Sequence, residues 1–421
     1  HFIYHSLRWL YLWQLKEYRL DRLLSFFRLP VSGKIFILDN FRSLSFRRPR
    51  FTLKIILAFS LLFTLLYFSW LTNRLIFLVV ADLLLPLLVA IIFLGLFIPS
   101  TLIHRLLILK AGIKLRQFPQ LIVIGVTGSF AKTSVKDAIA AVLSIKYQVL
   151  KTPATHNTVV SIAQLIIRQL KPHHQVLVVE MGAYTRGEIN QICRLVNPQI
   201  GVLTGVNEQH LDLFGSLANT TTAKYELIDN LPQTGLAIFN LDNPITKKLY
   251  QQTSKPKLGY HGSSHQPALL VAQHLHIPRA TALKALKESP STRLKKIAFS
   301  GMTLIDDSYS SNPDGFKLAL QELSKFPGNK LIITPGIIEL GSASHRIHRQ
   351  LGQLMSQLDA TVILTNPDFE SDLKSSLKKL LVLENPRQVI DFLKSHQTDF
   401  QVILLEGRLP ESIIKYFKLR T

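Results

Sequence analysis

Residues 121–137 read LIVIGVTGSFAKTSVKD: an apolar, β-branched run, a turn holding Gly128 and Ser129, the pair Lys132-Thr133, and a pattern that can continue as helix. Strand, loop and helix in that order form a phosphate cradle. Loop N–H groups and the helix N-terminus face the anion, the Lys132 ammonium adds a point charge, and the Thr133 hydroxyl is a ligand for Mg²⁺. Ala131 stands where such loops usually carry glycine, so this turn has to accommodate a Cβ. An ordinary strand-to-helix turn is the plainer alternative.

A cradle of this kind needs a sheet to carry it. From about residue 119, the runs LIVIGV, QVLVVEM, IGVLTGV and LAIFNLD alternate with amphipathic stretches, which predicts a doubly wound α/β domain over 119–290. Ligand sites in such sheets lie at the carboxyl ends of the strands. Glu180 follows QVLVV and is placed to serve Mg²⁺ directly or through water. His210 follows IGVLTGV and is a second candidate ligand, with a structural hydrogen bond as its ordinary role. Lys224 and Glu226 share an expected helix and read locally as a solvated charge pair. Asn240 and Asp242 end another strand and suit an adenine edge or ribose hydroxyls, though both are common turn residues.

A composition shift near 288–296 opens a second α/β domain, 291–421. There IAFSGMTLIDDSYSSNPDGFKLALQEL reads as strand, polar loop and helix, exposing Asp306, Asp307, Ser308, Tyr309 and Asn312 at a strand end. KLIITPGIIELG brings Glu339 to the next one, and ATVILT and FQVILLEG continue the pattern. The domain is Rossmann-like but carries no dinucleotide fingerprint, so NAD is not expected.

The segment before residue 119 is of another kind. Residues 51–70 and 75–98 are each long and apolar enough to cross a hydrocarbon core as helix, joined by LTNR into a hairpin. Asp82 and Pro86 interrupt the second span; Asp82 is expected to be neutral or hydrogen-bonded within an assembly. The formal net charge is +22, and residues 1–118 hold 16 Lys/Arg against 4 Asp/Glu, most of them on the outer flanks of the spans. The positive-inside rule then puts residues 1–50 and everything after 100 in the cytoplasm, at the inner face of a cell membrane. The basic charge sits beside lipid and on no nucleic-acid-reading module, so nucleic acid is not an expected partner. Residues 1–50 mix aromatics with Arg and Lys as an interfacial segment would, and 99–118 form a linker. The chain opens without Met, consistent with a cut inside an earlier span. Cys193, the lone cysteine, excludes a disulfide framework or CxxC metal site and suits a reducing compartment.

Taken together, GVTGSFAKTS, TPATHNT, EMGAYTRGEI, NEQHLDLFGSLANTTTAKYEL, NLDNP, DDSYSSNPDG and GIIELGSASHRIHRQLG resemble the Mur ligases, in that family's order, over about residues 119–421. DDSYSSNPDG looks most like the branch that adds D-alanyl-D-alanine to UDP-N-acetylmuramoyl-tripeptide. The resemblance implies an ATP-dependent amide ligase of peptidoglycan synthesis that works through an acyl phosphate. It implies that Gly128, Ser129, Lys132 and Thr133 bind ATP phosphates and that Thr133, Glu180 and His210 serve two Mg²⁺. Lys224 falls on a lysine that is carbamylated in many members, and so becomes a further metal-facing group. Asn240, Asp242 and Arg293 fall near the nucleotide. Asn157, Asp306, Ser308, Tyr309, Asn312 and Glu339 fall near the muramoyl-tripeptide and D-Ala-D-Ala.

The chain departs from that pattern in places. Ala131 replaces a glycine, Thr155 and Gly205 stand where asparagines are usual, and Glu406 stands where a lysine is common. HGSSHQP replaces a few dozen residues after PKLGY, and the membrane hairpin stands where the family has its UDP-binding domain. The muramoyl substrate is therefore expected to be either UDP-linked or lipid-linked. Another ligase of the superfamily, such as a folylpolyglutamate type, and a catalytically degenerate nucleotide-binding membrane module are the alternatives.

Overall fold

A computed structural model describes residues 2–15, 51–71, 75–154, 156–288, 294–299, 301–308 and 311–418, in two compact units, His1–Leu107 and Ile108–Thr421. Arg293, Tyr309 and Thr155, and residues 16–50 of the interfacial segment, lie outside the described residues.

The first unit contains helices α1 (Phe2–Leu15), α2 (Leu53–Leu71), α3 (Leu75–Leu83) and the start of α4 (Leu85–Leu115). Windows of α2 and of Leu87–Leu115 meet the length and apolarity needed to cross a membrane, yet only 22% and 11% of them are buried. Their side chains face outward, unlike a core helix of a globular protein. The second apolar stretch is broken between Asp82 and Pro86 and runs past its expected far end. Helix breaks at Leu84, which leaves Pro86 in the first turn of α4, a position proline favours. It then continues well past residue 98, to Leu115, with Pro99 inside it. Helix α1 packs Phe2, Leu10 and Trp13 against Ile55, Leu62 and Phe93, with Trp13 and Phe93 stacked at 5.2 Å. Asp82 lies 3.4 Å from His5 of α1, an interhelical partner of the kind its apolar setting requires.

In the second unit, the central sheet has the parallel order β2-β3-β1-β4-β5-β6: β1 Ile122–Thr127, β2 Val149–Lys151, β3 Val176–Glu180, β4 Ile200–Leu203, β5 Leu236–Asn240 and β6 Lys257–Tyr260. Both faces are covered, which is why these strands read as unbroken apolar runs. Val123, Leu177 and Val179 enter one core, while Ile124, Val126, Val176 and Val178 enter the other. The end of α4 belongs to this unit, with Ala111 buried and Lys114 Nζ donating to the Ile167 carbonyl at 2.9 Å. Helix α5 (Lys132–Leu143) buries Val135, Ile139, Val142 and Leu143 against the sheet.

The second sheet has the order β11-β10-β9-β12-β8-β7, parallel except for β7 against β8. Its strands are β7 Lys295–Phe299, β8 Met302–Asp307, β9 Lys330–Thr334, β10 Thr361–Leu364, β11 Leu380–Val382 and β12 Val402–Glu406. The same alternation holds here: Ile332 and Leu404 face one core, Leu331, Ile333 and Leu405 the other. Both domains are α/β, as the alternating pattern requires.

Candidate active site

In the central sheet β1 lies between β3 and β4, so the loop after β1 opens where connections leave for opposite sides, the usual crevice of such sheets. Gly128 has φ +146°, and a Cβ there would lie 2.1 Å from Thr204 Oγ1. The Ser129 N–H donates to the Gly205 carbonyl at 2.8 Å, and Ser129 Oγ accepts from the Asn207 N–H at 3.1 Å. Ser129 thus holds the loop against the end of β4. Ala131 has φ +58°, the left-handed conformation glycine would take without strain, and its side chain gives α5 no cap. The first-turn N–H groups of α5 therefore look to a ligand or to water.

Lys132 folds back over the loop and donates to the carbonyls of Gly128 (2.8 Å) and Ser129 (3.4 Å). Burial lowers its pKa, opposed by the nearby Glu180. The Thr133 hydroxyl donates to Glu180 Oε2 at 2.8 Å. Glu180 closes β3, 3% exposed, with its own N–H held by Thr152 Oγ1 at 2.9 Å. Asn157 sits just beyond this strand end: its carbonyl accepts from the Gly182 N–H at 2.8 Å, and its amide lies where a Cβ on Gly182 would be.

Lys224 lies on the helix Leu217–Asp229 and is buried, so the expectation of a solvated charge pair with Glu226 does not hold. Glu226 instead accepts the N–H groups of Gly187 (2.6 Å) and Asn190 (2.9 Å). Lys224 Nζ donates to the Ala183 carbonyl at 3.3 Å and lies 5.5 Å from the Phe214 ring centre. Desolvation, with Lys132 adding to it, brings its pKa down to about 7. A buried amine of that kind is largely uncharged just above neutral pH.

His210 stands at the N-cap position of the short helix Leu211–Phe214, with φ +59° and no capping bond from its side chain. Its Nδ1 hydrogen-bonds Glu339 Oε2, and Glu339 is itself at φ +65°. Tyr184 meets the imidazole edge-on at 4.8 Å. Burial lowers the His210 pKa, Glu339 opposes that, and Lys224 and Lys132 reinforce it. With Nδ1 committed to a carboxylate, Nε2 is the nitrogen left to a metal.

The C-terminal domain docks on this same segment. Leu211 is buried in that domain's core, Asn207 Nδ2 donates to Asp314 Oδ2 at 2.8 Å, and Arg346 donates to Glu208 Oε1 at 2.7 Å. Asn312 caps the helix Pro313–Ser324 by accepting the Gly315 N–H at 2.9 Å. Asp306 accepts the Ser308 N–H at 3.0 Å, closing a local turn. Glu406, completely buried, accepts from Ser311 Oγ at 2.8 Å. Away from the loop, Asn240 Nδ2 donates to the Thr204 carbonyl at 2.9 Å, and its Oδ1 accepts the Asp242 N–H. Asp242 is clasped by His261 and by the Gly262 N–H, both 2.6 Å, and these contacts hold its carboxyl below the usual range. The short HGSSHQP segment is closed by this clasp.

Lys132, Thr133 and Glu180 are thus gathered at adjacent strand ends, with Lys224 and His210 within electrostatic reach. Among the described residues, no three His, Cys, Asp or Glu side chains are grouped to hold a metal by themselves. One buried carboxylate, a hydroxyl and an imidazole do fit Mg²⁺ that arrives with nucleotide phosphates as its remaining ligands. One residue that the sequence reading passed over is Lys136, 1% exposed, with Nζ 3.5 Å from Glu180 Oε2. Its spacing was the available signal: one helical turn after Lys132, on the same face of α5.

Residues 126–289 match the Mur ligase middle domain. The UDP-N-acetylmuramoyl-tripeptide–D-alanyl-D-alanine ligase of Bacillus subtilis (strain 168) is 30% identical over 56% of this chain and 60% of its own length. The ligase of the same name from Escherichia coli (strain K12) is 29% identical over 55% and 61%. The chain therefore spans about 60% of the length of these curated relatives. The MurF ligase of Thermotoga maritima, solved in complex with ADP, shares the fold with a TM-score of 0.68 at 23% identity, covering 75% of this chain and 84% of that one. Residues 126–289 thus match the Mur ligase middle domain, and the relatives that the chain resembles in sequence and in fold are MurF ligases.

Proposed function

We propose that the chain is an ATP-dependent amide ligase that joins D-Ala-D-Ala to a muramoyl-tripeptide. The observation that carries this reading is the gathering of Lys132, Thr133 and Glu180 at the ends of β1 and β3, with a buried lysine and a histidine within electrostatic reach.

A carboxylate does not condense with an amine at neutral pH because its oxygen is a poor leaving group. Phosphorylation removes that obstacle: the peptide carboxylate oxygen attacks the γ-phosphorus, the bond to the ADP oxygen breaks, and an acyl phosphate forms. The amine of the dipeptide then attacks the acyl carbon, loses a proton, and phosphate departs. Such transfer depends on positioning and charge neutralisation. Lys132, over the loop, holds the phosphate charge. Thr133, Glu180 and His210 would hold Mg²⁺, which when bound neutralises developing phosphate charge. Lys224, as an uncharged amine, adds to CO₂ to give a carbamate and a proton, which turns a cation into an anionic oxygen donor facing the same place.

Asp242 lies on the adenosine side, and Asn240 shapes the turn that presents it. Asn157, Asp306, Ser308, Asn312 and Glu339 are assigned to the approach of the peptide substrates. The docked C-terminal domain excludes water that would hydrolyse the acyl phosphate.

The direct test is ATP-dependent formation of the extended muropeptide, read by mass. Product from the wild-type chain and its loss in Lys132→Ala support the ligase; phosphate release unchanged in Lys132→Ala with both substrates present would overturn it.

The helices α2 and α4 favour a membrane-held enzyme whose muramoyl substrate is lipid-linked, worked on at the cytoplasmic face. Turnover in proteoliposomes is then higher on lipid-linked than on UDP-linked tripeptide. Equal or faster turnover of the soluble substrate removes that part of the reading.

A further inference from the structure

Helix α5 carries a second lysine into the site. Lys136 is 1% exposed, a rare environment for an ammonium that is not balanced by charge. Its Nζ lies 3.5 Å from Glu180 Oε2 and 3.7 Å from Asp137 Oδ1, and Asp137 in turn accepts from Lys151 Nζ at 2.7 Å. Side-chain exposure rises along this string from 1% at Lys136 and 4% at Glu180 to 17% at Asp137 and 48% at Lys151. Charge alternates from the surface inward and ends on the one buried carboxylate of the phosphate crevice.

The distances separate two roles. A charge-assisted N–H···O bond is shorter, about 2.7–2.9 Å. Glu180 makes its short bond to Thr133, at 2.8 Å, whereas Lys136 stands back at 3.5 Å. Lys136 therefore supplies charge without fixing the carboxylate's direction, and the Glu180 oxygens stay aimed at the loop.

We propose that Lys136 is a resident cation that balances the buried Glu180 carboxylate while no metal is there, and that yields that charge balance to Mg²⁺ when it arrives with ATP. This rests on the reading of Glu180 as the metal-facing carboxylate. Two consequences follow from electrostatics. Without Lys136 the buried carboxylate loses one of its counter-charges and keeps only Lys132, so the metal-free protein is weakened. With a competing cation gone, a divalent ion binds more tightly, about tenfold for a unit charge within ~4–6 Å.

The test uses the full chain in detergent micelles, comparing wild type, Lys136→Met, Glu180→Gln and the double variant. Thermal midpoints are read without metal, and Mn²⁺ binding is read by electron paramagnetic resonance with a non-hydrolysable ATP analogue. The expected results are a metal-free midpoint several degrees lower in Lys136→Met, recovery of that loss in the double variant, and Mn²⁺ bound about tenfold more tightly by Lys136→Met than by wild type. A midpoint loss that Glu180→Gln does not repair marks Lys136 as packing only and overturns the proposal. Wild-type Mn²⁺ binding with no change in Lys136→Met overturns the proposal alone; no Mn²⁺ binding by wild type overturns it together with the metal reading of the site. If Lys136→Met does not accumulate as folded protein, a folded double variant supports the proposal and an unfolded one overturns it.

Discussion

At the scale of single residues, two side chains carry measurable strain or charge cost. Ala131 holds φ +58° at the start of α5, where an L-residue's Cβ crowds the backbone by about 1–2 kcal/mol. Replacing it by glycine removes that cost and also improves the N-cap, while the freer unfolded chain returns part of the gain. Ala131→Gly is expected to stabilise the nucleotide domain by about 1 kcal/mol, read as a rise in thermal midpoint. Lys224 is the second case. Its folded pKa of about 7 lies below the ordinary lysine value of 10.5, so between those values the unfolded chain holds a proton that the folded one has released. The desolvation cost is therefore fully present below pH 7 and is relieved as pH rises toward 10.5. Wild-type stability rises across that window relative to Lys224→Met, and denaturation midpoints at pH 7, 8.5 and 10 check it. Activity, if the carbamate forms, rises with added bicarbonate in the wild type and not in Lys224→Met.

At the scale of elements, the phosphate loop and the end of β4 are fitted to each other. A Cβ on Gly205, at φ +151°, would lie 2.2 Å from the Phe130 ring. The glycine that replaces the usual asparagine is thus the space that Phe130 occupies, and the two positions form one packing unit. Gly205→Asn alone is expected to disrupt the loop and weaken ATP-analogue binding by tenfold or more, while Phe130→Ala with Gly205→Asn relieves the clash and restores only part of it, the strain of a side chain at φ +151° remaining. Calorimetry on the two variants measures the coupling. This unit also marks the limit of what the sequence carried. Strands and their ends were legible because both-face burial writes continuous apolar runs, with Glu180 closing one of them and His210 and Glu339 in the loops that follow two others. The extent of α4 was not, because Pro99 reads locally as a stop and only the packing of Ala111 and Lys114 into the second unit reveals the continuation. Nor was the His210–Glu339 bond, which joins residues 129 positions apart. Lys224 read as solvated because a helix pattern does not tell which neighbours cover it.

At the scale of the whole molecule, the chain divides at residue 107 into an outward-apolar helical unit and an α/β unit with its own cores. The first unit exposes Leu53, Phe68, Trp70, Leu83, Phe97 and Ile98, among many other large apolar side chains. A surface of that extent in water would drive association, whereas in a bilayer it is the solvated face. Among the described residues, the apolar burial inside this unit lies along the seam where α1, α2 and α4 meet, with His5 of α1 3.4 Å from Asp82 of α3. The α/β unit, by contrast, hides its apolar residues on both faces of two sheets and presents charge to water. The division makes a sharp prediction: the full chain floats with liposomes and resists extraction by alkaline carbonate, while a chain beginning at Ile108 stays in the soluble fraction and still binds an ATP analogue. Release of the full chain by carbonate or high salt would instead mean that only the basic segments hold it to the lipid, through charge. Loss of nucleotide binding in the shorter chain would mean that the helical unit helps to fold the crevice as well as to anchor it.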